Sequence, residues 1–194
     1  MLFWRTRLRQ RSDEDLIVLI AGGDVPAFDE LYRRYHKRLH FYFLKMLHGD
    51  ADLADDFLQD LFLKIIEKPH LFSPERKLKT WLYTLATNLC RNEYRRRGIR
   101  LHVPEEEIPE AELAEQEGLT AALDKAYFSD LLAHQLARLD ETQRITLTLR
   151  FQEELSIKEI AQILDCAEGT VKSRLFYTLK KLNQQLHAFN PNTL

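Results

Sequence analysis

A chain of 194 residues, 45% of them hydrophobic, has room for one large domain or two small ones and enough apolar surface for packed cores, which excludes wholesale disorder. With only six Gly and six Pro, and apolar residues recurring at helical rather than alternating spacing, it reads as all-α. The net charge of −2 argues against indiscriminate nucleic-acid binding but is unevenly divided: 19 Lys/Arg against 14 Asp/Glu in residues 1–100, one against nine in 101–135, and eight against seven in 136–194.

Four helical patterns fill the first block. Residues 13–21 follow Ser12, with Asp13, Glu14 and Asp15 as a favourable first turn, and Gly22-Gly23-Asp24 breaks the run. Residues 26–47 carry Phe28, Leu31, Tyr32, Tyr35, Leu39, Tyr42 and Phe43 at spacings of three and four, a long amphipathic helix ended by Gly49-Asp50. Residues 52–67 place Leu53, Phe57, Leu58, Leu61, Phe62, Ile65 and Ile66 on a buried side and Asp52, Asp55, Asp56, Gln59 and Asp60 on the other. After a loop holding Pro69 and Pro74, a helix over about 76–97 buries Leu78, Trp81, Leu82, Leu85 and Leu89. Its other face (Thr80, Tyr83, Thr84, Thr87, Asn88, Arg91) is expected to be exposed, and it closes on Arg95-Arg96-Arg97 before Gly98.

Residues 99–118 are rich in Glu and poor in large apolar groups, too poor to offset the entropy of ordering them. The expected organisation is therefore a helical domain over 1–98, an acidic flexible linker over 99–123 and a second helical domain over 124–194. Helices in the second domain fall at about 124–138, 140–152, 156–164 and 168–187. No internal repeat is evident.

The most specific signal lies at 156–175. Ser156 with Glu159 three residues on forms a capping box. Ala161 is small where two helices would cross, and Asp165 sits at a sharp turn that needs a left-handed residue. Val171, Leu175, Leu179, Leu182 and Leu186 form the apolar stripe of the following helix, with Thr170, Lys172, Ser173 and Arg174 turned elsewhere. These are the marks of a helix-turn-helix, whose second helix reads bases in the major groove from its first turns. Arg donates twice to guanine, while Lys and Ser meet phosphates.

The run Gly169-Thr170-Val171-Lys172-Ser173-Arg174-Leu175 resembles region four of the bacterial extracytoplasmic-function (ECF) sigma factors, of the sigma-70 superfamily. Three stretches of the first block resemble that family's region two, in the same order. They are Ala27-Phe28-Asp29-Glu30-Leu31-Tyr32, Asp55-Asp56-Phe57-Leu58-Gln59-Asp60-Leu61-Phe62, and Thr80-Trp81-Leu82-Tyr83-Thr84-Leu85-Ala86-Thr87-Asn88-Leu89. The resemblance covers roughly residues 13–97 and 124–187. It departs from the family at Ala167, where Ser or Pro is usual and where the recognition helix loses a side-chain cap worth ~1 kcal/mol, and at Asn92, where Asp is usual.

The resemblance implies a promoter-specificity subunit. Asp56, Gln59 and Asp60 would bind the core of RNA polymerase. Tyr83, Thr87, Asn88, Arg91, Arg95 and Arg96 would contact the opened −10 element, an exposed strand whose bases stack on aromatics. The loop 68–77 would wall a pocket for a flipped base. Thr170, Lys172, Ser173, Arg174 and Tyr177 would read the −35 element. Promoter DNA, core polymerase and an anti-sigma factor are the implied partners. The linker would thread the polymerase, or in the free chain compete with DNA for the arginines. The rival reading is a dimeric helix-turn-helix regulator acting without polymerase.

Other chemistry has little support. Cys90 and Cys166 lie far apart, and no CxxC, HExxH or His/Cys cluster is present, so no metal or other cofactor is expected. No nucleophile–base pair, paired-carboxylate site or phosphate-cradling glycine loop marks an enzyme. No apolar run approaches the roughly 18 residues of a membrane span. The basic start, with Arg5, Arg7, Arg9 and Arg11, lacks the apolar segment of a secretory signal, so a cytoplasmic protein is expected.

Overall fold

The computed structural model describes residues 8–98 and 131–186, and all of their regular structure is helical. The expected linker 99–123, the start of the helix expected at 124, and Arg5 and Arg7 lie outside the described residues.

Helix α1 spans Asp13–Ala21, capped by Ser12, whose hydroxyl accepts from the Asp15 N–H at 3.0 Å. Asp24 caps α2, Val25–Met46, in the same way, and Asp50 caps α3, Ala51–Glu67. A 3-10 turn, Pro69–Leu71, precedes α4, Leu78–Arg96. Helix α4 starts at residue 78 rather than 76 and has no local cap. Its first N–H, on Leu78, instead donates to Glu14 Oε1 of α1 at 2.8 Å, which ties the two helices together. Gly98, at φ 62°, stops α4 in the left-handed region that glycine enters most freely.

The four helices bury one core. Leu31, Leu39, Tyr42, Phe43 and Met46 of α2 meet Leu61 and Ile65 of α3 and Leu78, Leu82 and Ala86 of α4. Aromatic edges fill the space between them: Phe43 on Phe57 at 5.7 Å, Tyr42 on Tyr83 at 5.4 Å and Phe72 on Trp81 at 5.6 Å. Trp81 is core, as its place on the apolar stripe predicts. Ile66 departs from its predicted place and is 49% exposed, at the edge of the stripe one turn from the end of α3, while its neighbour Ile65 is buried.

In the second domain, α5 (131–137) leads to α6, Glu141–Leu147, which begins with a capping box between Asp140 and Gln143. The helix expected over 140–152 does not stay α-helical. Residues Thr148–Gln152 form a π turn, closed by the Glu153 N–H on the Thr148 carbonyl at 3.1 Å. Helices α7, Ile157–Leu164, and α8, Glu168–Leu186, follow. The two domains touch, with α7 lying along α4 and α6 reaching α2.

Candidate nucleic-acid and polymerase interfaces

The helix-turn-helix is built as its sequence signals require. Ser156 Oγ accepts from the Glu159 N–H at 3.2 Å, and Glu159 Oε2 accepts from the Ser156 N–H at 2.8 Å. Asp165 ends α7 at φ 52°, ψ 55°, the left-handed turn that aims α8. Ala161 is buried at the crossing. The carbonyl of Ala167 accepts from the Thr170 N–H at 3.0 Å, so a residue without a capping side chain opens the recognition helix.

Val171, Leu175 and Leu182 are buried on α8, but Leu179 is 43% exposed and Thr178 takes its place inside. The reason is rotational. Steps of three and four keep close to a 3.6-residue period, and Leu175 to Thr178 to Leu182 follows the seam more closely than Leu179 does. Of the predicted −35 residues, Lys172, Ser173 and Tyr177 are exposed, and Thr170 and Arg174 are half-buried. Arg174 reaches back along the helix toward the turn, 3.9 Å from Cys166 Sγ.

On α3, Asp56, Gln59 and Asp60 are exposed and share one face. Leu63 and Ile66, also exposed, extend that face with apolar surface, so the candidate polymerase contact is amphipathic rather than purely acidic. The sequence pattern gave no sign of this, because Ile66 fits the buried stripe and Leu63 carried no expectation.

The −10 face of α4 requires a correction. Asn88, Arg95 and Arg96 are exposed as expected, and Arg91 is half-buried. Thr80, Tyr83 and Thr87 are buried instead. The Thr87 hydroxyl shares a 2.8 Å hydrogen bond with Tyr42 inside its own domain, so it supports the helix from within. The Tyr83 ring packs on Tyr42 inside its own domain while its hydroxyl donates to Glu153 of the second, a contact no helical periodicity contains. The arginine cluster is also partly neutralised internally, since Glu93 accepts from Arg96 at 2.8 Å and from Arg97 at 2.5 Å.

The contact between the domains includes ion pairs. Glu153, 2% exposed, accepts from Arg38 of α2 through Nε at 3.1 Å and Nη2 at 2.9 Å, and from the Tyr83 hydroxyl. Lys79 donates to the carbonyl of the same Glu153. Nearby, Lys77 Nζ lies 2.8 Å from Glu159 Oε1, and Arg91 Nε 3.9 Å from Glu141 Oε1. Arg144 of α6 is buried against the first domain, 2.9 Å from His48 Nε2, and donates to the carbonyls of Ala137 and Leu139.

These contacts move the titrations. Burial, then the Glu153 charge, pushes the Tyr83 phenol up. Burial and the neighbouring Arg38 lower Lys79. At Glu159 burial acts upward, but the bonds from Lys77 and Ser156 outweigh it and hold the carboxyl at about 2. Burial, Arg144 and Arg97 together push His48 down.

Arg38, Lys79 and Glu153 carried no motif in the sequence. They matter because two domains bring them together. Among the described residues no group of His, Cys, Asp and Glu could hold a metal ion, and no helix is long and apolar enough to cross a membrane.

The sequence matches the family descriptions "Sigma-70 region 2" over residues 31–99 and "Sigma-70, region 4" over 129–182. It is 31% identical over 188 residues to the RNA polymerase sigma-H factor of Pseudomonas aeruginosa, covering 92% of this chain and 96% of that one. It is also 31% identical over 182 residues to the ECF RNA polymerase sigma factor SigM of Mycobacterium tuberculosis, covering 93% and 88%. Among solved structures, the fold is similar to CnrH in complex with the cytosolic domain of CnrY, with a TM-score of 0.66 and 24% identity over 92% of this chain and 99% of that one. The sigma factor RpoE of Bartonella quintana, in complex with the anti-sigma factor NepR, gives 0.59 and 26% over 84% and 98%.

Proposed function

The chain belongs to the ECF sigma factors of the sigma-70 family, and on that premise we propose how its surfaces divide the work of promoter-specific initiation. The domain of residues 1–98 binds core RNA polymerase through Asp56, Gln59 and Asp60, with Leu63 and Ile66 supplying the apolar part of the contact. Helix α4 meets the −10 element through Asn88, Arg91, Arg95 and Arg96, and through Tyr83 once the second domain moves aside. The domain of residues 124–194 reads the −35 element through Thr170, Lys172, Ser173, Arg174 and Tyr177. Two modest interfaces on one tether raise each other's occupancy through effective concentration.

The observation that carries this reading is the pairing, on one chain and in family order, of a basic α4 with a helix-turn-helix whose turn and capping box are formed. A dimeric regulator acting alone leaves the whole first domain without a task. The protein's work on this reading is binding, not bond chemistry, and it takes place in the cytoplasm. An anti-sigma partner is part of the proposal, since the similar RpoE of Bartonella quintana is in complex with one.

The test is run-off transcription from a pool of genomic promoter fragments, with core polymerase added or withheld. Discrete transcripts are expected only when both proteins are present. Tight binding to a palindromic duplex by the purified chain, with no core-dependent transcript, would replace this reading with the dimeric one.

A further inference from the structure

Glu153 is a carboxylate in an unfavourable place for stability alone. Desolvating a charge costs several kcal/mol, roughly, which its partners in the low-dielectric interior only partly return. A close-packed apolar residue would hold the two domains together without that cost. The groups around it explain the choice better. Arg38 presents two N–H donors to one oxygen, Oε2, at 3.1 and 2.9 Å, and the Tyr83 hydroxyl donates to the same oxygen. Lys79 adds an ammonium on the adjoining carbonyl. A guanidinium and a phenol meeting on one carboxylate oxygen, with an ammonium on the carbonyl of the same residue, make an oxyanion receptor.

The partner that Arg38 and Lys79 both meet is Glu153 of the second domain, through its carboxylate and its carbonyl respectively. When the domains separate, two cations that already disfavour each other are left facing solvent. The pattern also repeats along the same helix. Lys77 faces Glu159 and Arg91 faces Glu141, so the second domain sets one acid against each cation of a row. From Lys77 to Arg91 that row is about 21 Å long at 1.5 Å per residue. A row of cations of that length fits a linear polyanion.

We infer that Arg38, Lys79 and Tyr83 form a phosphate-binding cradle for the backbone of a DNA strand, which Glu153 occupies as an internal mimic while the two domains are closed. The proposal rests on the sigma factor reading for the identity of the strand. It adds a binding site to α2 and the start of α4, and it makes the −10 contact and the interdomain contact mutually exclusive. A ligand whose competent state is a minor fraction of the population binds weaker in proportion to that fraction. Releasing Glu153 therefore tightens strand binding without any new contact.

The test uses the full-length protein and a fluorescein-labelled 20-nucleotide single strand of mixed sequence, followed by anisotropy with no polymerase present. Glu153→Gln is expected to bind on the order of tenfold tighter than wild type, and to show a larger radius of gyration by small-angle scattering. Adding Arg38→Ala to Glu153→Gln is expected to abolish the gain and lower the salt slope by about 0.7, the change for one lost phosphate contact on a single strand. Glu67→Gln, an equal charge change at an exposed acid of α3 outside the contact, is expected to do neither. Circular dichroism confirms helicity throughout.

Opening without tighter binding, or no opening at all, overturns the proposal. So does an equal gain from Glu67→Gln, which would reduce the effect to net charge. Poly-glutamate binding Glu153→Gln as tightly as the oligonucleotide would assign the cradle to acidic proteins and overturn the phosphate. Because no polymerase is present, these failures leave the sigma factor reading intact. Tighter strand binding with no core-dependent transcription would sink that reading and leave the cradle standing.

Discussion

Glu159 stands at the junction of the helix-turn-helix and the first domain, and removing its charge tests both. Its carboxylate closes the capping box on Ser156 and lies 2.8 Å from Lys77 Nζ. Holding a carboxyl at about 2 against an ordinary 4.5 corresponds to ~3 kcal/mol of preference for the ionised folded form. That is an upper bound here, because Lys77 is 74% exposed and water screens its share. Summing the contacts gives less: Gln can still accept from the Ser156 N–H, as Gln143 does from Asp140, so the cap loses only the charge on that bond, roughly 0.5 kcal/mol, and the exposed pair adds about 0.2–1 kcal/mol. Glu159→Gln is therefore expected to cost about 1 kcal/mol at pH 7. A depressed carboxyl stabilises the fold above its ordinary value and loses that contribution as pH falls toward the folded one. The difference between wild type and Glu159→Gln should thus shrink to less than half by pH 3. Urea unfolding followed by circular dichroism at pH 7 and pH 3 measures both figures. A double-mutant cycle with Lys77→Ala isolates the interdomain part, expected at about 0.2–1 kcal/mol. A cost independent of pH, or a coupling to Lys77 equal to the whole effect, would refute the capping account.

Three further outcomes follow from the same geometry. Asp56→Ala with Gln59→Ala should weaken binding to core polymerase with helicity unchanged, since both side chains are exposed; unaltered affinity in a titration removes α3 from that interface. Arg174→Ala should cost about 1–3 kcal/mol at one base position of the −35 duplex, while Lys172→Ala should weaken all sequences alike and reduce the salt slope by about 0.9; wild-type specificity and slope in both would place α8 outside the groove. His48, held low by burial and by the facing Arg144 and Arg97, favours the neutral ring in the closed form, so the Arg144 contact is intact above the ordinary value of 6.5 and weakens as pH falls below it. A radius of gyration that stays constant, or contracts, as the solution is acidified from pH 7.5 would contradict that sign.

Much of this molecule was legible because local rules decided it. The apolar spacing of α2 gave a helix whose Leu31, Tyr35, Leu39, Tyr42 and Phe43 are all buried. Ser156, Glu159 and Asp165 marked the helix-turn-helix because capping and left-handed turns need those side chains wherever they occur. The failures share another cause. Tyr83 read as surface because a helical wheel has no knowledge of what lies beyond its own helix: Tyr42 of α2 takes its ring and Glu153 of the second domain its hydroxyl. Ile66 and Leu179 read as core because periodicity marks a stripe but not its edges. The π turn at Thr148–Gln152 has no local signature, since it exists to deliver Glu153 to partners more than 60 residues away. The linker's acids, the sequence's candidates for blocking the arginines, lie outside the described residues. Among the described residues, the second-domain acids that pair with cations of the first domain are Glu141, Glu153 and Glu159.

The strength of that closed contact bears on how the molecule works. Lys77–Glu159 has one largely exposed partner and Arg91–Glu141 is 3.9 Å long, so each contributes roughly 0–1 kcal/mol. The buried Glu153 pair recovers its desolvation cost only in part. The rest of the contact is the packing of α7 along α4 and of α6 on α2, where buried apolar residues of the two domains form one continuous cluster. Reversing a two-state balance from 1:99 to 99:1 takes about 5.5 kcal/mol of differential binding. On the proposed function, polymerase bound at α3 and a DNA strand along α4 would share that work. Ion pairs this weak at the rim of the packed contact leave it open to such competition, where a seam with no polar groups would resist it.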